Sequence, residues 1–140
     1  MPLTLFPYFG GKYFMANKLY PLFPEHRIYA EPFGGSGVVL LSKKESKIEI
    51  FNDISKDITT LFKVVRNHPE SFYREMDKCL VSRDDFNRLV KTDPEYLTYF
   101  QRAYRFLYIQ KMSFAGIDRA NPCFKADTSR RVGINYNVNP

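Results

Sequence analysis

Three glycines within four residues, Gly34, Gly35 and Gly37, separate two apolar runs in Ile28-Tyr29-Ala30-Glu31-Pro32-Phe33-Gly34-Gly35-Ser36-Gly37-Val38-Val39-Leu40-Leu41. No other stretch constrains the fold as strongly. It reads as a strand over 28–33, a turn freed from the Cβ clash, and an apolar helix. The first turn of such a helix offers unpaired N–H groups and the positive end of its dipole to a polar or anionic group. Taken alone, the pattern is equally a plain tight turn between strand and helix.

A second strand is expected over 47–53, in Lys47-Ile48-Glu49-Ile50-Phe51-Asn52-Asp53, and it ends on an acid 19 residues after Gly34. In nucleotide-binding βαβ units an acid about 20 residues beyond the glycines accepts hydrogen bonds from ribose hydroxyls. The other reading of Asp53 is an N-cap of the following helix. Ser55 can take that cap and leave Asp53 free.

Before this unit stands Leu5-Phe6-Pro7-Tyr8-Phe9-Gly10-Gly11-Lys12-Tyr13. Gly-Gly-Lys ahead of a helix is superficially a phosphate loop, but the first glycine and the Ser/Thr after Lys are missing. What remains is the Tyr8 ring and the Lys12 ammonium in one short loop, able to stack on a base and to pair with a carboxylate. A turn with a solvated lysine is the alternative. A helix is expected over 13–23, ending near Pro21 or Pro24.

Downstream the pattern turns helical. Ile58, Leu61, Phe62 and Val65 share one face of a helix over 55–67 that His68-Pro69 stops. Pro69 suits the first position of the next helix, striped by Phe72, Met76, Cys79 and Leu80, with Cys79 as a small buried hydrophobe. Ser82-Arg83-Asp84-Asp85 fits a capping box and opens a helix carrying Phe86, Leu89 and Val90. Thr92-Asp93-Pro94-Glu95 fits another start, for a helix over about 94–112 with Phe100, Ala103, Tyr104, Leu107 and Tyr108 on one face. Beyond Ser113 the periodicity stops. Arg119, Lys125, Arg130 and Arg131 stand among Phe114, Phe124 and Tyr136 in a loop-rich stretch. Such loops can set cations on phosphates and rings against bases, or can be solvated loops pinned by a few aromatics.

Charge follows the same division. Residues 1–100 hold 14 basic and 13 acidic side chains, residues 101–140 hold 7 and 2, and the net charge is +6. A basic final third points to a polyanion, most simply nucleic acid, or else to a solubilising face. The hydrophobic fraction of 44% argues against disorder. No apolar run nears the roughly 18 residues of a membrane span, and Met1-Pro2-Leu3-Thr4 does not open a signal peptide. Cys79 and Cys123 are isolated thiols, which fits a reducing, cytoplasmic setting. With only His26 and His68 beside them, no metal site is expected.

Four stretches in order resemble the N-terminal half of the Dam-type (D12 class) DNA adenine-N6 methyltransferases. Pro7-Tyr8-Phe9-Gly10-Gly11-Lys12 is similar to the N-terminal cofactor loop, and Glu31-Pro32-Phe33-Gly34-Gly35-Ser36-Gly37 to the S-adenosylmethionine (SAM) motif. Asn52-Asp53-Ile54-Ser55 is similar to the acidic motif, and Arg105-Phe106-Leu107-Tyr108-Ile109-Gln110-Lys111-Met112-Ser113-Phe114-Ala115-Gly116 to the start of the target-recognition region. The resemblance implies SAM as cofactor: Lys12 on its carboxylate, Tyr8 flanking it, Phe33, Gly35 and Gly37 close to it, and Asp53 on the ribose hydroxyls. It implies double-stranded DNA as partner, contacted by Lys111, Phe114, Arg119, Lys125, Arg130 and Arg131. Ala115 stands where relatives commonly have Asn after an aromatic residue, so any role of that side chain is absent or moved.

The family's Asp-Pro-Pro-Tyr catalytic motif has no counterpart, since the chain has no Pro-Pro pair. Asp93-Pro94-Glu95-Tyr96 reads better as a helix start, and Asn121-Pro122-Cys123-Phe124 comes too early in the basic loop. The expectation is therefore a site-specific, adenine-specific DNA methyltransferase of the restriction-modification kind, truncated before its catalytic strand and inactive alone, with no catalytic residue assigned. Two other readings stand beside it: a non-enzymatic DNA-binding or decoy protein on the same scaffold, and a different SAM- or nucleotide-binding enzyme, for which no acid–base pair is evident.

The expected fold is α/β: a partial Rossmann-like, mostly parallel methyltransferase sheet, then a helical, loop-rich DNA-recognition region. The division falls into a SAM-binding part at 1–68 and a target-recognition part at 69–140. Two parallel strands leave faces and edges open, so a homodimer or a separate C-terminal chain is expected to complete the sheet.

Overall fold

Two short parallel strands hold the glycine turn between them. In the computed structural model, which describes residues 3–8, 10–113 and 122–125, the order is α1 (Tyr13–Leu19), β1 (Ile28–Glu31), α2 (Val38–Ser42), β2 (Ile48–Phe51), α3 (Lys56–Asn67), α4 (Pro69–Asp77), α5 (Arg83–Lys91) and α6 (Tyr99–Met112). Single 3₁₀ turns follow α1 at Tyr20–Leu22 and precede α6 at Pro94–Tyr96. The chain divides into two units, 1–59 and 60–140.

In the first unit β1 and β2 pair in parallel, with Ile28 opposite Ile48, Tyr29 opposite Glu49, Ala30 opposite Ile50 and Glu31 opposite Phe51. Alternation gives the two faces different fates. Tyr29 packs against the cluster of Ala16, Val38 and Val39, which α1 and α2 supply. The opposite face carries Ile28, Ile48 and Ile50, which stay 54%, 44% and 51% exposed. Both strands are shorter than expected, because Pro32-Phe33 and Asn52-Asp53 turn away to form the loops beyond them.

In the second unit α6 packs against α4 and α5. Phe72, Met76, Phe86, Leu89, Ala103, Phe106, Leu107, Tyr108 and Met112 are buried. The Tyr108 hydroxyl donates to Leu80 O at 2.8 Å and accepts from Ser82 N–H at 3.2 Å, which pins the loop before α5 to α6. Arg105 donates to the Leu89 and Val90 carbonyls, capping the end of α5.

Some helical expectations shift. The helix expected from about Pro94 begins instead at Tyr99. Asp93 accepts from Glu95 N–H and supports only one 3₁₀ turn, Leu97 is extended, and Thr98 and Gln101 then form a reciprocal capping box. Leu80, expected on the α4 stripe, lies past the end of that helix and is 74% exposed. On α3 the buried apolar positions are Ile58, Leu61 and Val64, with Phe62 and Val65 half-buried, a slight rotation of the expected stripe. Ser82 caps α5 by accepting from Asp85 N–H, but its own N–H goes to Tyr108, so only half of the expected box forms.

Candidate functional site

The turn after β1 is closed by its own backbone and by the loop after β2. Gly37 N–H donates to Gly34 O at 2.9 Å, Gly34 N–H to Asn52 O at 2.9 Å, and Asn52 N–H to Glu31 O at 3.0 Å. The Asn52 side chain donates to Pro32 O at 3.2 Å. The two loops are thus zipped together at the carboxyl ends of parallel strands, where open α/β sheets bind ligands.

Two of the glycines have distinct structural reasons. A Cβ on Gly34 would stand 2.0 Å from the Phe51 ring, so that ring fills the side-chain space. Gly35 lies at φ +53°, and its Cβ would meet the Tyr8 ring at 3.1 Å. Gly37, also left-handed, sits immediately before α2.

Asp53 joins the glycine turn to the loop ahead of α3. One carboxylate oxygen accepts from Gly35 N–H at 2.8 Å, and the other from Ser55 N–H at 2.8 Å. The side chain therefore shapes the local turn before α3 and also faces the glycine turn. Two backbone donors leave an ionised carboxylate with unused acceptor sites. Tyr8, Gly35 and Asp53 are brought together in this way.

Lys12 meets a partner the sequence reading left unassigned. Its ammonium lies 2.7 Å from Glu31 Oε1 and 3.4 Å from Phe33 O. Glu31 is 4% exposed at the end of β1, and its second oxygen accepts from Tyr29 O–H at 3.4 Å. Lys12, Glu31, Tyr29 and the exposed Phe33 line an open recess of about 350 Å³. Burial, with the Glu31 charge beside it, pushes the Tyr29 hydroxyl up to about 12. The buried Lys43 ammonium lies 4.4 Å over the Tyr29 ring and pairs with Glu49 and with Ser46 Oγ. Burial works against the Glu49 carboxylate, but bonds from Lys43 and Ser46 N–H outweigh it and hold its pKa below the usual range. The sequence signal for Glu31 was its place two residues after Tyr29, on the face that Phe51 shares. Among the described residues no three His, Cys, Asp or Glu side chains form a metal-ligating group.

The basic residues separate. Lys111 is half-buried on α6, and desolvation lowers its pKa against the opposing influence of Cys79. Lys125 is exposed, and its N–H donates to Met112 O at 2.7 Å beside an antiparallel bridge between Ser113 and Phe124. Phe114, Arg119, Arg130 and Arg131 lie outside the described residues. Of the motif lookalikes, Asp93-Pro94-Glu95-Tyr96 is the 3₁₀ turn before α6, and Phe124 packs on Phe86 with ring centroids 5.4 Å apart.

With this geometry in place, residues 8–130 match the family model of the D12 class N6 adenine-specific DNA methyltransferases. The DNA adenine methylase of Escherichia coli (strain K12) is 28% identical over 123 residues, covering 80% of this chain and 41% of that protein. The DNA adenine methylase of Serratia marcescens is also 28% identical, with 80% and 43% covered. The DNA N-6-adenine-methyltransferase of Escherichia phage P1 is 25% identical over 128 residues, covering 84% of the chain and 16% of the phage protein. The chain thus spans about two fifths of the length of the bacterial relatives.

Proposed function

The chain belongs to the D12 class of N6 adenine-specific DNA methyltransferases, and from that premise we propose that residues 1–68 bind SAM in a protein that methylates adenine N6 in DNA. The observation that carries this reading is the convergence at the turn after β1. Asp53 is bonded to Gly35 N–H, the Tyr8 ring lies against Gly35, and the Lys12–Glu31 pair lies at the end of β1. The chemistry of SAM matches these groups. A ribose diol donates to a carboxylate such as Asp53. The methionine end is a zwitterion, so an ammonium and a carboxylate held as a pair offer each of its charges an opposite one: Lys12 for the carboxylate, Glu31 for the amine. Phe33, Gly35 and Gly37 border the path between them. SAM supplies the electrophilic methyl group, and these residues bind and orient it.

Residues 69–140 take the target-recognition role in this reading, with Lys111, Phe114, Arg119, Lys125, Arg130 and Arg131 toward double-stranded DNA. The two parallel strands form part of a Rossmann-like sheet. No catalytic residue is assigned within these 140 residues, and methyl transfer is proposed for the protein as a whole. The exposed Ile28, Ile48 and Ile50 face supports completion of the sheet by further polypeptide, in a second copy or a separate chain, because parallel sheets bury both faces.

Calorimetric titration of SAM into this chain tests the reading. Binding is expected, weakened at least about tenfold (about 1.4 kcal/mol) in Asp53→Ala. Asp53→Asn, which keeps the shape and one acceptor oxygen, should fall between the two. A folded chain that takes up no SAM, or Asp53→Ala binding as tightly as the parent, overturns it.

A further inference from the structure

The basic residues read toward DNA from sequence all lie at or beyond position 111, yet α5 carries another cation, held on the ring of Phe124. Arg83, at the first position of α5, is exposed, and its guanidinium lies 5.4 Å from the centre of the Phe124 ring. It makes no salt bridge among the described residues. The acids that follow it in sequence do not hold it: Asp85 pairs with Arg88 at 2.9 Å, and Asp84 makes no ion pair among the described residues. A cation at a helix N-terminus gains nothing from the dipole there, so the aromatic ring accounts for its position.

That ring is itself fixed. Phe124 forms the antiparallel bridge to Ser113, its neighbour Lys125 donates its N–H to Met112 O, and its other ring contact is Phe86 on α5. A guanidinium lying on a ring keeps its N–H edge open to solvent, and that edge matches a phosphate in two parallel hydrogen bonds. Lys125, one residue from the ring, is exposed as well. An arginine held without an acid, on a ring tethered to the end of α6, is preorganised for an anion.

We propose that Arg83, held on the Phe124 ring, contacts the phosphate backbone of DNA together with Lys125, the residue that follows Phe124 in sequence, so that the DNA-facing surface extends onto α5. This rests on the reading of DNA as the partner. Asp84 stands next to Arg83 in sequence, which limits the expected gain to a single phosphate contact. Such a contact positions the duplex and carries no sequence information.

The test is the salt dependence of duplex binding, followed by the anisotropy of a labelled DNA duplex with SAM present. Each phosphate contact adds about 0.9 to the slope of log K against log salt. Arg83→Gln should make the slope shallower by about 0.9, Arg83→Lys should keep it, and Lys125→Gln should lower it similarly. The double variant should lose about twice as much. Mere damage to packing would lower affinity while leaving the slope alone. Arg83→Gln with the parent's slope, on a chain that still binds DNA, overturns the proposal and leaves the DNA reading intact. Should Arg83→Gln fail to fold, Lys125→Gln with an unchanged slope overturns it equally. A folded parent chain with no salt-dependent duplex binding overturns the DNA reading and this proposal together.

Discussion

The helices of the 60–140 unit bury their own apolar stripes, whereas the sheet of the 1–59 unit has one face half-exposed. Along α6, Ala103, Phe106, Leu107, Tyr108 and Met112 are all buried, and the Tyr108 hydroxyl ties down Leu80 O and Ser82 N–H in the loop before α5. The sheet, by contrast, covers only its Tyr29 face, and three isoleucines of the other face remain in solvent. The helical unit is stabilised by local packing of α6 against α4 and α5. The sheet unit is built around the glycine turn, with one strand face left half-exposed. Its polar network of Lys12, Glu31, Tyr29, Lys43 and Glu49 lies on the covered side, where it holds the turn in shape.

The largest effect that can break this comparison is a pair of truncations. Leu107→Ala should cost about 2–5 kcal/mol, since a cavity opens in a packed helical core. Ile50→Ala, at a half-exposed strand position, should stay within about 0.5 kcal/mol. Denaturant midpoints of the two variants check this. Similar losses would mean that the isoleucine face is already buried in solution, for instance in a dimer. A cost for Ile50→Ala that grows with protein concentration would then identify self-association as the cover.

A second, smaller effect lies within the turn. Gly34→Ala puts a methyl into the Phe51 ring, and overpacking of this kind costs about 1–3 kcal/mol. Phe51→Leu in the same chain should recover part of that loss, giving a coupling of about 0.5–3 kcal/mol in a double-mutant cycle by chemical denaturation. No coupling would mean that the turn moves away from the ring. The glycine would then serve the backbone path alone.

What the sequence made legible is mostly what local chemistry decides. The strand, glycine turn and second strand ending near Asp53 follow from residues close together, and so does the cap at Ser82. Where two local signals competed, burial chose between them. Asp93-Pro94 and Thr98-x-x-Gln101 are both good helix starts, and only the second precedes a helix whose apolar face meets α4 and α5. The sequence offered cap or ligand for Asp53, whereas its carboxylate bonds to Gly35 N–H, 18 residues away, and to Ser55 N–H, a join that local reading does not reveal. The Lys12–Glu31 pair and the Arg83–Phe124 contact join residues far apart in the chain, through a strand end in one case and a bridge to α6 in the other. No local pattern encodes either of them.

The smallest effect concerns the covered face and appears only in alkali. Burial and the Glu31 carboxylate raise Tyr29 from 10.0 in the unfolded chain to about 12 in the fold. Below pH 10 both states keep the proton, and the group's contribution is fully present. As pH rises toward 12 the unfolded chain releases that proton first, so unfolding gains and stability falls. Tyr29→Phe removes this titration. Its unfolding midpoint, compared with that of the parent, should hold steady up to about pH 10 and then shift in favour of the variant. Cys79, Tyr104 and Tyr108 in the other unit are also raised by burial and weaken both proteins alike, so the difference isolates the sheet. An unchanged difference across that range would mean that Tyr29 ionises as freely as in the unfolded chain. The face packed by Ala16, Val38 and Val39 would then be as open to water as its isoleucine counterpart.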